Sequence, residues 1–344
     1  MNIVITHTSS PTCVGTLHSL RDAFECRIIG VDKEHGFDEF ILDKIYVEDD
    51  ESEEYIDRMI EICKIEDAKL IIPHSIKDRV LFMDKQARFS DEGIKILSSS
   101  SKSIVQSESK LFFLNLCQEL DIPVADFHVA STYRELKEFA YALGYPEKKV
   151  VIKPVEGSGS RGFRILNKRV NFRRMFSKHR PDHPEITLSN LRAIIGDKFQ
   201  PLIVSEYLPG EEYTVDGFYQ GDEELYVVRA RVEAKNGLTT LGKVVEHPEI
   251  VEYSKKLTRA LELTTVFGFQ FKEDVDGNIK ALECNPRIQG TMVMSTMAGA
   301  NIIAASAAQM LGKEKIPLEI DIGMKFYRMY GGISVGKDTK RIKL

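Results

Sequence analysis

Cysteine is sparse in this chain, and its five residues, Cys13, Cys26, Cys63, Cys117 and Cys284, form no CxxC pair. An odd, scattered set excludes a disulfide scaffold and a zinc site and points to reduced thiols. No apolar run approaches the roughly 18 residues needed to cross a bilayer, so no membrane partner is expected. Neither sign of charge dominates: 47 basic against 52 acidic residues give a net charge of −5. No broad basic field is therefore offered to nucleic acid phosphates. No Ser–His–Asp or Cys–His constellation stands out, and nothing calls for a protein nucleophile. The opening residues, Met1 to Thr6, read as a buried strand rather than a charged leader, and the expected compartment is the cytoplasm.

What is present is a soluble composition, 43% apolar and 29% charged over 344 residues. That length suits two or three packed domains. In the first hundred residues, short apolar strands alternate with helical stretches. Ile3 to Thr6 and Arg27 to Asp32 are the first two strands, Tyr55 to Ile65 has helical spacing, and Leu70-Ile71-Ile72-Pro73 is the third. Strands too apolar to alternate, separated by helices, imply a parallel sheet covered on both faces. A Rossmann-like half-domain follows from that. Its first loop, His7-Thr8-Ser9-Ser10-Pro11-Thr12, lacks GxGxxG, so a dinucleotide has little glycine backbone to approach. The hydroxyls of this loop could instead donate to a substrate anion ahead of a helix N-terminus. Asp32 is either a strand-end turn residue or a ribose ligand.

After the serine run Ser98 to Ser101 the texture changes, marking a boundary or a helix cap. Ser109-Lys110 opens an amphipathic helix to about Leu120. Lys149-Val-Val-Ile-Lys153-Pro154 is a strand whose second lysine sits among apolar neighbours. It runs into Val155-Glu156-Gly157-Ser158-Gly159-Ser160-Arg161-Gly162, then a strand from Phe163 to Leu166. Glycines and serines in such a turn let backbone N–H groups close around phosphate oxygens. A lysine just before the turn can place a point charge on the same phosphates. Arg161 either crosses to the terminal phosphate or stays solvated. A strand then ends at Glu206, Pro209-Gly210 turns, and another begins at Glu211; such a linker can read an adenine edge while a carboxylate accepts from ribose.

Gly268 to Arg287 reads as a hairpin with Asp276-Gly277 at its turn. Glu283 and Asn285 are two residues apart on the second strand and share a face. Gln270 lies on the opposing strand. Oxygen ligands converging this way suit Mg²⁺, which keeps waters and takes further oxygens from phosphates. Arg287 follows at the strand end, where it can neutralise a transferring phosphoryl group. Upstream, Arg229, Arg231, Glu233 and Lys235 alternate along one face of a strand over 227–237. That face is either turned to a cleft, with Arg231 on a carboxylate or acyl phosphate, or solvated. Gly290-Thr291 and the small residues of Ala298 to Ala308 suit a cleft floor and a tightly packed helix.

Lys110, Lys153 with its glycine loop, Glu206 to Glu211, and the set Gln270, Glu283, Asn285 and Arg287 together resemble the ATP-grasp superfamily. The flavour is that of its carbamoyl-phosphate-synthase-like and carboxylate–amine ligase branches, and Glu-x-Asn-Pro-Arg is the most specific piece. The resemblance covers nearly the whole chain and implies an α/β fold, α+β in the catalytic half. A Rossmann-like pre-ATP-grasp domain (1–100) would precede a two-lobed ATP-grasp domain (101–344), with a small lid at about 124–207. It further implies that Lys110, Lys153 and the loop Gly157-Ser158-Gly159-Ser160-Arg161-Gly162 contact ATP phosphates. Glu206 with the backbone of Tyr207 and Leu208 would hold adenine, and Glu211 the ribose. Gln270, Glu283 and Asn285 would bind one or two Mg²⁺ (or Mn²⁺), with Arg287, Lys153 and Arg231 as the catalytic set. Gln270 stands where many relatives carry a carboxylate, so the metal site has less charge. Cys284, between two ligands, should point to the opposite face, into core.

The expected reaction has two steps: a carboxylate attacks the γ-phosphate of ATP, and an amine or similar nucleophile attacks the resulting acyl phosphate. The partners are thus a small-molecule carboxylate and amine, and a homodimer is compatible. The rivals are a bicarbonate-activating carboxylase or carbamoyl-phosphate-forming enzyme and a non-catalytic ATP-binding module.

Overall fold

The computed structural model describes residues 1–344 apart from 11, 35, 37–40, 158–160, 179–182, 236–237, 330–331, 336–339 and 344. The chain opens with β1 (Asn2–Thr6), α1 (Cys13–Ala23), β2 (Arg27–Asp32), β3 (Lys44–Val47) and α2 (Tyr55–Ile65). It continues with β4 (Leu70–Ile72), α3 (Ile76–Asp84), α4 (Gln86–Ser90), β5 (Lys95–Ile96) and α5 (Ser101–Glu108). Ile3 and Ile5 pack with Leu17, Ile28, Leu70 and Ile72, whereas Val4 packs with Ile29, Ile71, Met59 and Phe82. A strand apolar on both faces must sit inside a covered parallel sheet. The order is β3-β2-β1-β4-β5 with every pairing parallel. The expected third strand is thus the fourth, because the half-exposed edge strand β3 carries no buried apolar run. The chain leaves β1 toward β2 on one side and returns to β4 on the other. The carboxyl ends of β1 and β4 therefore flank the switch point, where an open α/β sheet leaves a crevice.

Next come α6 (Lys110–Glu119), β6 (Phe127–Thr132), α7 (Tyr133–Ala142), β7 (Val150–Pro154), β8 (Arg164–Leu166), α8 (Phe172–Lys178), β9 (Glu185–Ile186), α9 (Leu188–Ile195) and β10 (Lys198–Glu206). Their strands form a sheet in the order β6-β10-β7-β8-β9. α7 starts on a capping box in which Thr132 and Glu135 satisfy each other's backbone N–H groups. Its Leu136 and Ala140 meet Val150, Ile152 and Val204 in a small core.

The remainder is β11 (Glu212–Gln220), β12 (Glu223–Lys235), β13 (Leu238–Val244), α10 (Pro248–Ala260), β14 (Thr265–Glu273), β15 (Ile279–Asn285), α11 (Val293–Met297), α12 (Ile302–Met310), β16 (Lys325–Tyr327) and the antiparallel pair β17 (Gly332–Val335) and β18 (Lys340–Lys343). A six-stranded sheet runs β15-β14-β11-β12-β13-β16. The small-residue helix begins only after Asn301, whose side chain accepts from Ala304 N at 3.2 Å and caps α12. Ile302, Ile303 and Ala307 of α12 share the core of Ile3 and Ile5.

Two units result: residues 1–108, 212–270 and 284–344 form the first, and 109–211 with 271–283 the second. No described helix is long and apolar enough to cross a membrane.

Candidate active site

In the second unit, Ser109 caps α6 and sets Lys110 in its first turn. The Lys110 ammonium donates to the Gly157 carbonyl, at the start of the glycine turn. Lys153 stands on β7, in register with Ile203 of β10, as a half-buried residue between Ile152 and Pro154. Burial lowers its pKa from the ordinary lysine value; the Glu283 carboxylate opposes that shift and the Lys110 ammonium adds to it. Two ammonium groups against one carboxylate leave a positive surplus that a polyphosphate would neutralise. Gly157 and Gly162 sit at φ +110° and +74°, conformations that side chains resist. A Cβ on Gly162 would also lie 2.6 Å from Pro154 Cγ. Arg161 is exposed; Ser158, Gly159 and Ser160 lie outside the described residues.

The linker after β10 is also fixed locally. Glu206 is half-buried and its N–H donates to the Asp126 carbonyl at 2.9 Å. The Lys149 ammonium lies 5.3 Å above the Tyr207 ring, and Leu208 is buried. Gly210 N donates to the Glu273 carbonyl at 3.1 Å, and Glu273 N to the Glu211 carbonyl at 3.0 Å. The exposed Glu211 is thus held by main-chain bonds on both sides of its turn.

On the hairpin, Gln270 is half-buried on β14, and Glu283 and Asn285 stand on β15, the neighbouring strand of the sheet. Cys284 between them is buried, as expected of the opposite face. Among the described residues no group of three or more His, Cys, Asp or Glu forms a metal-binding cluster. The expected set does not require one, since it draws on one carboxylate and two amides. Arg287 is half-buried, with its N–H on the Asn285 carbonyl at 2.7 Å.

In the first unit, the even alternation expected along β12 does not hold. Its register with β13 shifts between Ala230 and Glu233 and again before Ala234. Arg229 is buried against Asp216, while Arg231 pairs with Glu212 and donates to Thr239 Oγ1 at 3.1 Å. Arg231 is therefore not a solvated strand residue. Asp32 accepts from Ser9 N at 2.7 Å and Lys33 N at 2.8 Å, which is the turn role. Sequence reasoning passed over Arg79. This buried guanidinium donates to the carbonyls of Ser75 (3.2 Å), His74 (3.3 Å) and Pro286 (2.6 Å), binding the loop after β4 to the residue before Arg287. The only local signal was an arginine four residues after a helix-capping serine.

The family described as "ATP-grasp in the biosynthetic pathway with Ter operon" matches residues 198–327. The carbamoyl phosphate synthase large chain of Clostridium acetobutylicum is 25% identical over 343 residues, covering 95% of this chain and 29% of that protein. A solved N5-carboxyaminoimidazole ribonucleotide synthetase in complex with ADP superposes with a TM-score of 0.69 at 14% identity, over 93% of this chain and 78% of that one. The chain has the ATP-grasp fold, and its residues 198–327 match an ATP-grasp family. A biotin carboxylase from Campylobacter jejuni, in a β,γ-ATP complex, matches this ATP-grasp fold with a TM-score of 0.68 at 17% identity, over 94% of this chain and 74% of that one. The chain spans less than a third of the length of the curated synthase, 29%. Its donor set fits a nucleotide polyphosphate: two lysines and a carboxylate at a turn where Gly157 and Gly162 stand at positive φ.

Proposed function

We propose that the chain is an ATP-dependent ligase that activates a small-molecule carboxylate as an acyl phosphate and passes it to an amine, releasing ADP and phosphate. The observation that carries this reading is the desolvated Lys153 ammonium, balanced only in part by Glu283 and adjoined by Lys110, on the strand that feeds the glycine turn.

In this reading Lys110, Lys153 and the 157–162 turn hold the ATP phosphates. Glu206 with the main chain of Tyr207 and Leu208 holds adenine, and Glu211 the ribose. The oxygens of Gln270, Glu283 and Asn285 suit Mg²⁺ or Mn²⁺, which when bound supplies charge neutralisation for phosphoryl transfer. Lys153 and Arg287 offset charge as the substrate carboxylate attacks the γ-phosphate. Arg231, fixed by Glu212 and Thr239, orients the acid.

A second reading, with bicarbonate as the acid, is favoured by the likeness to a carbamoyl phosphate synthase and a biotin carboxylase. One experiment separates them: ADP release with Mg·ATP against amino acids and hydroxy acids, singly and in pairs, and against bicarbonate alone. Release that needs an acid and an amine supports the ligase, and release with bicarbonate alone supports the second reading. No release and no thermal stabilisation by Mg·ATP would overturn both.

A further inference from the structure

His7 follows the last residue of β1, at the switch point of the N-terminal sheet, with φ +56°. A non-glycine residue rarely adopts this left-handed conformation unless its surroundings hold it there. Its Nδ1 lies 3.9 Å from Oδ2 of Asp78, and the two side chains differ sharply in exposure, 40% and 0%. Asp78 is fixed from two sides: Oδ2 accepts from the Thr6 hydroxyl at 2.6 Å, and its N–H donates to Ser75 Oγ at 2.9 Å. Its other oxygen, Oδ1, is buried without a hydrogen-bond partner among the described residues. An idle buried carboxylate oxygen is costly. The Nδ1 of His7 approaches the other oxygen, Oδ2, within ion-pair range, where the carboxylate favours the protonated ring.

His74 follows β4 across the switch point, and its Nε2 is buried with no partner among the described residues. Burial first, then the charges of Arg79, Arg287 and His7, push its pKa down to about 3. It is a neutral imidazole that does not take a proton at physiological pH. The three side chains acting on it come from three segments: the loop after β1, α3 and the strand end after β15. Asp50, whose charge also reaches Asp78, is itself paired with Lys33 at 2.7 Å and Lys77 at 3.0 Å.

We propose that His7, positioned by Asp78, is the general base that takes a proton from an ammonium acceptor so that the amine can attack the acyl phosphate. This rests on the ligase reading above. An aliphatic ammonium has no lone pair to offer, and an imidazole is the side chain most often used to accept such a proton. The ammonium gives one proton to the imidazole. The freed amine forms the C–N bond as the C–O bond to phosphate breaks. The second departing proton leaves with phosphate, so that an amide, hydrogen phosphate and imidazolium result.

Hydroxylamine tests this, because it is unprotonated near neutrality and needs no base. Wild-type protein is incubated with Mg·ATP and each proteinogenic amino acid in turn as the acid, with either hydroxylamine or a second amino acid as acceptor. His7→Ala should lower amide formation on the order of 10²-fold, retain hydroxamate formation, and be partly rescued by added imidazole. Equal loss with both acceptors, or undiminished amide formation, overturns the proposal. Failure of the wild type to form either hydroxamate or ADP sinks the ligase reading itself, before any variant is compared. Asp78→Asn should lower amide formation while retaining hydroxamate formation, as His7→Ala does. Undiminished amide formation in Asp78→Asn, or equal loss with both acceptors, removes Asp78 as the positioning residue.

Discussion

Arg229 and Asp216 clasp each other inside the six-stranded sheet, Nε and Nη2 each 2.7 Å from a different carboxylate oxygen. The two side chains are 1% and 0% exposed. The Ser295 hydroxyl also donates to Asp216, and Gln289 Nε2 reaches its Oδ1 at 3.3 Å and the Val215 carbonyl at 3.0 Å. The pair thus ties β11 and β12 to the segment that follows Arg287.

Removing one partner would leave the other charge buried and uncompensated, which typically costs about 3–5 kcal/mol. Arg229→Met and Asp216→Ala should each lower stability by that amount in urea unfolding. The double replacement should cost less than the sum of the single ones. Additive losses would mean that the two side chains act independently.

Lys153 carries a charge that the fold penalises, since burial lowers its pKa. Lys153→Met should therefore raise the melting temperature of the nucleotide-free protein while abolishing the further rise on adding Mg·ATP. Glu283→Gln should leave the fold intact and lower turnover on the order of 10²-fold or more. Near-normal turnover in Glu283→Gln would leave that residue an ordinary strand-end carboxylate.

Gly157 and Gly162 both hold positive φ, but among the described residues only Gly162 has a neighbour within reach of an added Cβ, at 2.6 Å. Alanine at either position should weaken Mg·ATP binding by about 1–2 kcal/mol from backbone strain alone. Gly162→Ala should cost more, because Pro154 must also move. Calorimetry ranks the two, and a larger loss at Gly157 would contradict the steric account.

Glu66 closes the amino end of the first sheet, with its carboxylate on the Lys44 ammonium (2.6 Å), the Tyr46 hydroxyl and Arg27. These partners hold its pKa down to about 2. A depressed carboxylate pKa contributes stability above the unfolded value and loses it as pH falls through the folded one. The loss should therefore fall between about pH 4.5 and pH 2. Because Lys44 and Arg27 are each 43% exposed, screening leaves about 1–2 kcal/mol of it. Glu66→Gln should be less stable than wild type at pH 7 and show a flatter dependence through that acid window. Parallel pH profiles for the two proteins would count against the cluster.

The sequence by itself determined whatever is local. Ile3 to Ile5, Ile28 to Val31 and Leu70 to Ile72 announce buried strands because apolar runs of that length cannot face water. The two-residue strand period puts Glu283 and Asn285 on one face and sends Cys284 into the core. Elements with no such signature, the mixed edge strand Lys44–Val47 and the two-residue strands at Lys95 and Glu185, exist only because a sheet already stands beside them. Tertiary structure alone decided what the charged side chains do, since a charge takes its meaning from partners that the chain brings from far away. Arg229, one of an alternating row, is claimed by Asp216 across the sheet. Arg79 reaches the Pro286 carbonyl over 207 residues of chain. His7 comes within 3.9 Å of Asp78 because β1 and β4, distant in sequence, are neighbours at the switch point, where folding moves the carboxylate out of water.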